Sequence, residues 1–229
     1  MDIPTLVSLH VWRVRRRSIP GALRRMAREP RRLRRLPGVR FVKLLGTGKG
    51  TTFGLGDADL TRYAALVSWN GAADPDAVDE RWRRIAVGSV RVDLAPLTAR
   101  GQWSGTTPFG FPRGGRPDGM VLALTRARLR TRKALTFWRA IPSVAGELAA
   151  APGLLAGFGV GEAPIGWQGT VSVWRSTTDL TGFAYRQPQH RAVIARTPAD
   201  RWYAEDLFAR FAVRQISGDR EVLGWQAER

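Results

Sequence analysis

Apolar and polar positions alternate in short runs along the chain, and stretches with helical spacing separate these runs. The first alternating run covers residues 6–14 and predicts a β-strand. A helical stretch follows at about residues 20–36, and a second extended run lies at residues 41–45. The second half repeats this order with runs at residues 120–129, 131–150 and 158–160. The repeated order predicts an internal duplication.

Matching turns and tryptophans support the duplication. A Pro-Gly pair precedes the second strand of each half, within residues 36–38 and 151–153. Trp69 and Trp174 end similar apolar runs, and a polar helix start follows each of them. The last predicted strands of the two halves lie at residues 90–97 and 207–215.

Each half therefore reads β-α-β-β-α-β, the order of a ferredoxin-like unit in which two helices cover one face of an antiparallel sheet. The expected fold class is α+β, with two ferredoxin-like repeats packed as an intrachain dimeric α/β-barrel. The repeats are placed at residues 1–107 and 118–229, joined by a Gly/Pro-rich connector at residues 108–117. Residues 104–119 also contain Phe109 and Phe111, so this segment is either a plain linker or a loop that folds over a pocket mouth.

Composition removes several classes of protein. The 229-residue chain has no cysteine, which excludes disulfides, zinc knuckles, iron–sulfur clusters and thiolate-ligated haem. Its two histidines are too few for a His-rich metal site. No apolar stretch is long enough to span a membrane, and no signal-peptide pattern opens the chain, so a cytoplasmic location is expected.

The charge is strongly positive. The formal net charge is +18, and twelve arginines lie between Arg13 and Arg40 against one acid, Glu29. Such a face attracts anionic membranes or nucleic acid, or it is the solvated surface of an arginine-rich chain. No nucleic-acid-binding module is recognisable. Peripheral contact with an anionic membrane is therefore one expected interaction, and specific binding of nucleic acid is not expected.

His190 lies on a helical stripe with Phe183 and Ile194 that would face the sheet. In the first half the corresponding place holds Trp82. Two interpretations stay open from the spacing. His190 is either a core histidine hydrogen-bonded to the backbone or a neutral imidazole that binds a haem iron.

His10 is the competing ligand. Strand alternation puts Ser8, His10 and Trp12 on one face of the first strand. This histidine either touches a substrate or cofactor inside the barrel or is a structural histidine with satisfied hydrogen bonds, and the second interpretation is preferred.

Familiar catalytic motifs are absent. The chain has no GxSxG, HExxH or P-loop pattern. Residues 46–50 are rich in glycine but are expected to form a hairpin or loop. The acids of the later helical and strand segments are expected to be solvated charges: Asp76, Asp79, Glu80, Glu205 and Asp206.

Six segments resemble the spheroidene monooxygenase family, in consistent order across most of the chain. They are residues 40–48 (RFVKLLGTG), 99–105 (ARGQWSG), 124–127 (LTRA), 137–142 (FWRAIP), 159–164 (GVGEAP) and 202–208 (WYAEDLF). The resemblance implies a haem-containing, O₂-dependent oxygenase that acts on a carotenoid end group with electrons from a separate donor such as ferredoxin. The family's late-helix histidine corresponds to His190, which is therefore expected to be the axial ligand of haem b.

A haem pocket also needs cations for its propionates and an apolar wall. The candidates for the propionates are Lys43, Arg100, Arg126 and Arg128, and those for the distal wall are Trp103, Phe137, Trp138 and Trp167. Trp103 and Arg100 are assigned to catalysis. Lys43, Arg126, Trp138 and Trp167 are assigned to cofactor binding, and His190 to the metal.

Four hypotheses follow. The first is a haem monooxygenase that oxidises an apolar substrate, carotenoid-like or another natural product, with O₂ and external electrons. The second is a haem enzyme of another reaction type, such as a dehydratase, and the third is a non-catalytic carrier of haem or a small ligand. The fourth is a basic protein without a cofactor that binds membrane or nucleic acid.

Overall fold

Eight antiparallel strands form a closed barrel in the computed structural model of the chain. The structure describes residues 2–48, 57–112, 114–115, 117–129, 148, 150–162, 167–186 and 203–226. The strands are β1 Leu6–Val14, β2 Val39–Gly48, β3 Ala58–Trp69, β4 Ala86–Gly101, β5 Val121–Leu129, β6 Leu154–Gly161, β7 Trp167–Trp174 and β8 Tyr203–Gly218. The α-helices are α1 Ile19–Leu33, α2 Asp76–Asp79 and α3 Thr177–Arg186, and short 3-10 helices cover Arg16–Ser18 and Arg220–Leu223.

The strand order around the barrel is β1-β3-β2-β6-β7-β5-β8-β4. Each half of the chain therefore contributes four strands in the ferredoxin-like order 4-1-3-2, as the sequence predicted. The long strands β4 and β8 join the halves on one side, and a short pairing of β2 with β6 closes the other. Residues 46–48, expected in a loop, instead extend β2 because they pair with residues 159–161 of β6.

The duplicated Pro-Gly turns have the same backbone conformation. Gly38 has a φ of +76° and Gly153 a φ of +78°. A Cβ atom on Gly38 would lie 2.3 Å from the carbonyl oxygen of Ala72, and one on Gly153 would lie 2.4 Å from Cγ of Asp179. Both positions thus need glycine for conformation and for space.

The duplicated tryptophans occupy matching places in the register. Trp69 pairs with Leu6 at the start of β1, and Trp174 pairs with Val121 at the start of β5. Each indole N–H donates to a serine hydroxyl, that of Ser8 for Trp69 and of Ser172 for Trp174. The register pairs Trp69–Leu6 and Trp174–Val121 align the two halves, so that they can be compared residue by residue.

Strand alternation sorts apolar side chains into three clusters. The largest fills the barrel interior and includes Leu9, Leu66, Val92, Leu124 and Phe211. The other two lie outside the barrel, one between the N-terminal strands and α1 with α2, and one beside α3.

Both ends of the barrel are filled by the chain itself. The segment after β4 inserts Trp103 and Phe109 at the end where β1 begins, and Phe109 packs edge-on against Phe211 at 4.9 Å. The 3-10 helix Arg220–Leu223 inserts Val222 and Leu223 at the opposite end. The segment after β4 is thus more than a linker, because Trp103 and Phe109 belong to the core, while Phe111 is exposed.

Candidate active site

The outer face of the C-terminal half of the barrel carries unusually small side chains. Residues directly opposite one another in antiparallel strands point to the same side of a sheet, so the register aligns them in rows. These rows cross β6, β7 and β5. We call their small residues the small-residue floor: Gly157, Ser172 and Ala123; Gly159, Thr170 and Thr125; and Gly161 with Ala127.

Cationic and aromatic side chains border this floor on β8 and β4. Phe208 lies opposite Thr125 on the same outer face, and Arg100 lies opposite Phe208. The guanidinium of Arg100 stacks over the Phe208 ring at 4.4 Å from its centroid. Arg210 lies opposite Ala123. The floor therefore has a positively charged edge that an anionic group could approach.

Three of the equivalent positions in the N-terminal half carry much larger side chains, whereas Ser8, Ala65 and Gly46 stand where the floor has Ala123, Thr170 and Gly161. Counted from the paired tryptophans, Val42 stands for Gly157, Leu44 for Gly159 and Trp12 for Ala127. Trp82 covers this face and stacks on Trp12 with ring centroids 4.4 Å apart and nearly parallel planes. Trp82 is fully buried, so it fills the space between helix and sheet, as the sequence predicted.

His10 lies on the filled N-terminal face and not inside the barrel. Its Nδ1 is 3.0 Å from Oδ1 of Asp79, and its Nε2 is 3.0 Å from Oγ of Ser8. The Trp69 indole N–H donates to the same Ser8 hydroxyl, and the Trp12 indole N–H donates to Asp79. This is a serine–histidine–aspartate arrangement, but Ser8 and His10 are both fully buried, so no substrate can reach the hydroxyl.

Asp79 is a structural group, and the expectation that it is a solvated charge is wrong. Burial would raise its pKa, but hydrogen bonds from His10 and Trp12 outweigh that effect, so its pKa is lowered. Asp79 thus holds His10 in place as a hydrogen-bonded core histidine, which is the preferred interpretation from the sequence.

A second polar group lies where β2 and β6 part at the end of the barrel. Glu162 accepts hydrogen bonds from the Lys43 ammonium at 2.7 Å, from the Trp103 indole and from Nη2 of Arg126 at 3.2 Å. Lys43 also bonds the Ser104 hydroxyl at 2.7 Å. The Arg126 guanidinium lies 5.5 Å from the centroid of the Trp103 ring.

Glu205 completes this group. It pairs with Nη1 of Arg126 and accepts the backbone N–H groups of Ser104 at 3.1 Å and Gly105 at 2.8 Å. Burial would raise the pKa of Glu205, but these donors outweigh it and the pKa is lowered. Glu205 is therefore not the solvated charge that the sequence suggested. We call Lys43, Trp103, Arg126, Glu162 and Glu205 the barrel-end charge cluster.

The structure brings three of the predicted site residues together in this cluster, namely Lys43, Trp103 and Arg126. They point to the barrel interior, whereas the floor lies on the outer face. Arg100 alone lies at the floor. Trp167 is placed by its backbone in β7, but its side chain, like the whole of Trp138 and His190, lies outside the described residues.

Sequence reasoning missed Glu162 and Glu205. The alternation of β8 contained a signal for Glu205, because residues 207, 209 and 211 have the same parity and face the interior. Within the described ranges, no three histidine, aspartate or glutamate side chains come together as metal ligands. None of the helices in those ranges is long and apolar enough to cross a bilayer.

Comparison with known proteins gives relatives at the level of sequence. Spheroidene monooxygenase of Rubrivivax gelatinosus is 36% identical over 191 residues, which cover 80% of this chain and 72% of that protein. Spheroidene monooxygenase of Rhodobacter capsulatus is 31% identical over 209 residues, 88% of this chain and 86% of that protein. The chain belongs to the spheroidene monooxygenase family. No protein-family model matches it.

Family membership confirms the resemblance seen in the sequence and places the chain among monooxygenases, which are oxidoreductases. A crystal structure of aldoxime dehydratase shares the fold, with a TM-score of 0.58 at 13% identity over 91% of this chain and 80% of that one. A second aldoxime dehydratase structure, crystallised with butyraldoxime, gives the same TM-score at 12% identity. These likenesses agree with the predicted α+β barrel.

Proposed function

We propose that this member of the spheroidene monooxygenase family is a haem-dependent monooxygenase that oxidises an apolar substrate, with the cofactor held over the small-residue floor. The observation that carries the proposal is the contrast between the two outer faces. The N-terminal face is filled by Trp12, Trp82 and their neighbours, whereas the C-terminal positions that match Val42, Leu44 and Trp12 are Gly157, Gly159 and Ala127.

The small-residue floor suits a flat, bulky group, because its side chains are short along three neighbouring strands. The C-terminal half has Gly157, Gly159 and Ala127 where the N-terminal half has Val42, Leu44 and Trp12. This patch of the C-terminal sheet therefore contains less side-chain volume. A protein interior does not leave such volume unfilled without cost, since cavities destabilise a fold. The barrel interior, by contrast, is packed with apolar side chains and filled at both ends, so a macrocycle has no room there.

The set of possible iron ligands also fits haem. The chain has no cysteine, and His10 is fully buried with both ring nitrogens engaged by Asp79 and Ser8. His190 is the remaining histidine, in the segment that follows α3. We therefore retain it as the proposed axial ligand, with Tyr185 of the same segment as the tyrosine to consider if histidine fails.

Side chains of the floor and its edge would hold the cofactor. Arg100 and Arg210 are placed to bind propionate carboxylates, and Phe208 offers an apolar contact between them. The glycines of β6 allow a macrocycle to approach the sheet closely. When bound, the haem supplies the iron that activates O₂ with external electrons. The chain's own part is to orient the substrate and to exclude water from the reacting oxygen.

Lys43, Arg126, Trp138 and Trp167 stay predictions as cofactor-binding residues, and so does Trp103 as a catalytic residue. The charges of Lys43 and Arg126 are already compensated by Glu162 and Glu205. Such pairs cost much to break. For this reason we assign the propionates to Arg100 and Arg210 in preference to the barrel-end charge cluster.

The substrate class and partners extend the same proposal. The relatives are named for spheroidene, so an apolar, carotenoid-like molecule is the proposed substrate, oxidised with O₂ and an electron donor such as ferredoxin. A cytoplasmic location with peripheral membrane contact fits such a substrate. The dehydratase alternative has only the shared fold of aldoxime dehydratase in its favour, and fold alone does not determine a reaction.

The test is the colour of the protein purified with haem supplied. We expect a Soret band with one haem per chain, its loss in His190→Ala, and its partial return when imidazole is added to that variant. His10→Ala serves as the comparison, because its effect should fall on stability and not on the Soret maximum. Full haem occupancy with an unaltered Soret maximum in His190→Ala would contradict the ligand assignment.

A substrate assay separates the remaining hypotheses. Reduced protein with ¹⁸O₂ and a panel of polyenes should yield a product that carries one labelled oxygen atom. Turnover of an aldoxime without O₂, and no labelled product from any polyene, would favour the dehydratase. A Soret band without turnover of either class would favour a carrier.

A further inference from the structure

Helix α1 presents a continuous arginine stripe on the surface of the N-terminal half. Its inner side packs Ala22, Glu29 and Leu33 against the sheet. The stripe on its outer side is formed by the exposed arginines Arg24, Arg28 and Arg31, which have helical spacing, and Arg35 lies just beyond the end of the helix. Exposed arginines also fill residues 15–17 just before the helix. We call these residues the α1 basic face.

No acid balances this face. Glu29, the only acid in the surrounding sequence, is 2% exposed and is bound to Arg32 and Arg81. In the part of the chain that the structure describes, the guanidinium groups of the α1 basic face form no hydrogen bond or ion pair. Their positive charge is thus available to a partner outside the chain.

An exposed apolar side chain lies beside the stripe. Leu23 is 50% exposed next to Arg24, and the exposed Ala27 lies one turn further along the same side, next to Arg28. Because the apolar side of α1 packs on the sheet, contact with an anionic bilayer would depend on the arginine cluster and the one exposed leucine beside it, at the headgroup interface. There the arginines bind lipid phosphates and the leucine enters the headgroup region.

Two other anionic partners fit less well. Nucleic-acid surfaces that bind single strands use aromatic side chains to stack bases, and residues 13–36 contain none. An acidic electron-donor protein would need to approach the small-residue floor. That floor lies on the outer face of the C-terminal strands, and α1 covers the N-terminal strands. A donor on α1 would therefore be separated from the floor by the barrel.

We propose that the α1 basic face docks the protein on a bilayer rich in anionic phospholipid, with Leu23 inserted among the headgroups. This surface would tether the protein to the membrane and would not deliver substrate directly to the small-residue floor, which lies across the barrel from α1. The inference rests on the proposed function only for its biological purpose, because the contact itself needs no haem. Docking through α1 places the bilayer beside the N-terminal strands and away from the C-terminal strands.

The experiment is co-sedimentation of the full-length, haem-supplied protein with vesicles. One set contains phosphatidylcholine alone and the other contains phosphatidylcholine mixed with phosphatidylserine. We expect binding to the mixed vesicles only, with loss at high salt. The triple variant Arg24→Gln, Arg28→Gln, Arg31→Gln should bind about a hundredfold more weakly. A matched triple variant removes exposed arginines elsewhere, Arg175→Gln, Arg214→Gln and Arg220→Gln, and should lose much less.

Leu23 provides the second comparison. Leu23→Ser should weaken binding several-fold, and Leu60→Ser, at a leucine that is 54% exposed on β3, should not. Equal loss in both arginine triples, equal binding to both vesicle types, or α1-dependent binding to duplex DNA without vesicle binding would each overturn the proposal. Haem content should be unchanged in the α1 triple, so failure of docking and failure of the haem assignment give different results.

Discussion

The two outer faces of the barrel are built on the same strand order and the same paired tryptophans, yet they differ in the size of several matching side chains on the sheet. On the N-terminal face Trp12 and Trp82 stack on each other. Asp79 of α2 is hydrogen-bonded to both Trp12 and His10. On the C-terminal face the positions that match Val42, Leu44 and Trp12 are Gly157, Gly159 and Ala127. One copy of the duplicated unit thus supplies stability, and the other has the small residues that a ligand site needs.

The comparison also separates the two histidines. His10 is part of a closed hydrogen-bond network on the filled face, whereas His190 belongs to the half with the small-residue floor. The sequence contains only these two histidines, and their number alone leaves both as candidate iron ligands. The network around His10 removes it from the set of available ligands.

The largest stability effect is expected on the filled face. Trp82→Ala should lower the free energy of unfolding by about 3–5 kcal/mol, because it removes a fully buried ring stacked on Trp12. Denaturant unfolding followed by fluorescence measures this. Phe111→Ala, at a side chain 63% exposed, is the control and should change stability by less than about 0.5 kcal/mol. A loss below about 1 kcal/mol for Trp82→Ala would mean that the N-terminal face is not the tightly packed one.

A smaller effect is expected at Asp79. Its pKa is lowered in the folded state, so the folded protein binds fewer protons than the unfolded chain in the acid range. The stabilisation is complete above about pH 4 and is lost as the pH falls through the folded-state pKa. Asp79→Asn should cost about 1–3 kcal/mol at neutral pH and flatten the acid dependence of the unfolding free energy. An unchanged acid slope in Asp79→Asn would contradict the role given to this carboxylate.

The sequence was sufficient for most of the fold. The prediction of β1 matches the structure, and α1 was expected at residues 20–36 and lies at Ile19–Leu33. Both followed from local periodicity, which reports on the contacts of one element with its own layer. The lengths of β4 and β8 were underestimated. Residues 98–101 of β4 and 216–218 of β8 pair with the other half of the chain, and local pattern carries no information about that partner. Residues 86–89 and 203–206 pair with β1 and β5 of their own halves.

The candidate site was harder to predict. Trp82 and the structural interpretation of His10 came from spacing alone, since both depend on which face of an element a residue occupies. Asp79 and Glu205 were taken for solvated charges because acids in a basic chain are usually exposed, and only the tertiary structure brings their donors to them. The small-residue floor could have been found by comparing the aligned repeats position by position.

A more modest effect is expected at the charged edge of the floor. Arg100→Gln combined with Arg210→Gln should speed haem transfer to apomyoglobin several-fold, because it removes two cations placed to bind carboxylates. Lys43→Gln is the comparison, since Lys43 faces the barrel-end charge cluster. Faster haem loss in Lys43→Gln than in the arginine pair would restore Lys43 as a cofactor residue and contradict the assignment of the propionates to the floor.

The most direct test of the account is to give the C-terminal face the bulk of the N-terminal one. Gly159→Leu with Ala127→Trp installs the residues found at the equivalent positions, Leu44 and Trp12. The quantity to measure is haem per folded chain, from the Soret absorbance and far-ultraviolet circular dichroism, with Ala58→Trp at an exposed position of β3 as the control. The account predicts a folded protein without haem for the double variant and full occupancy for the control. Full haem occupancy in a folded double variant would contradict it.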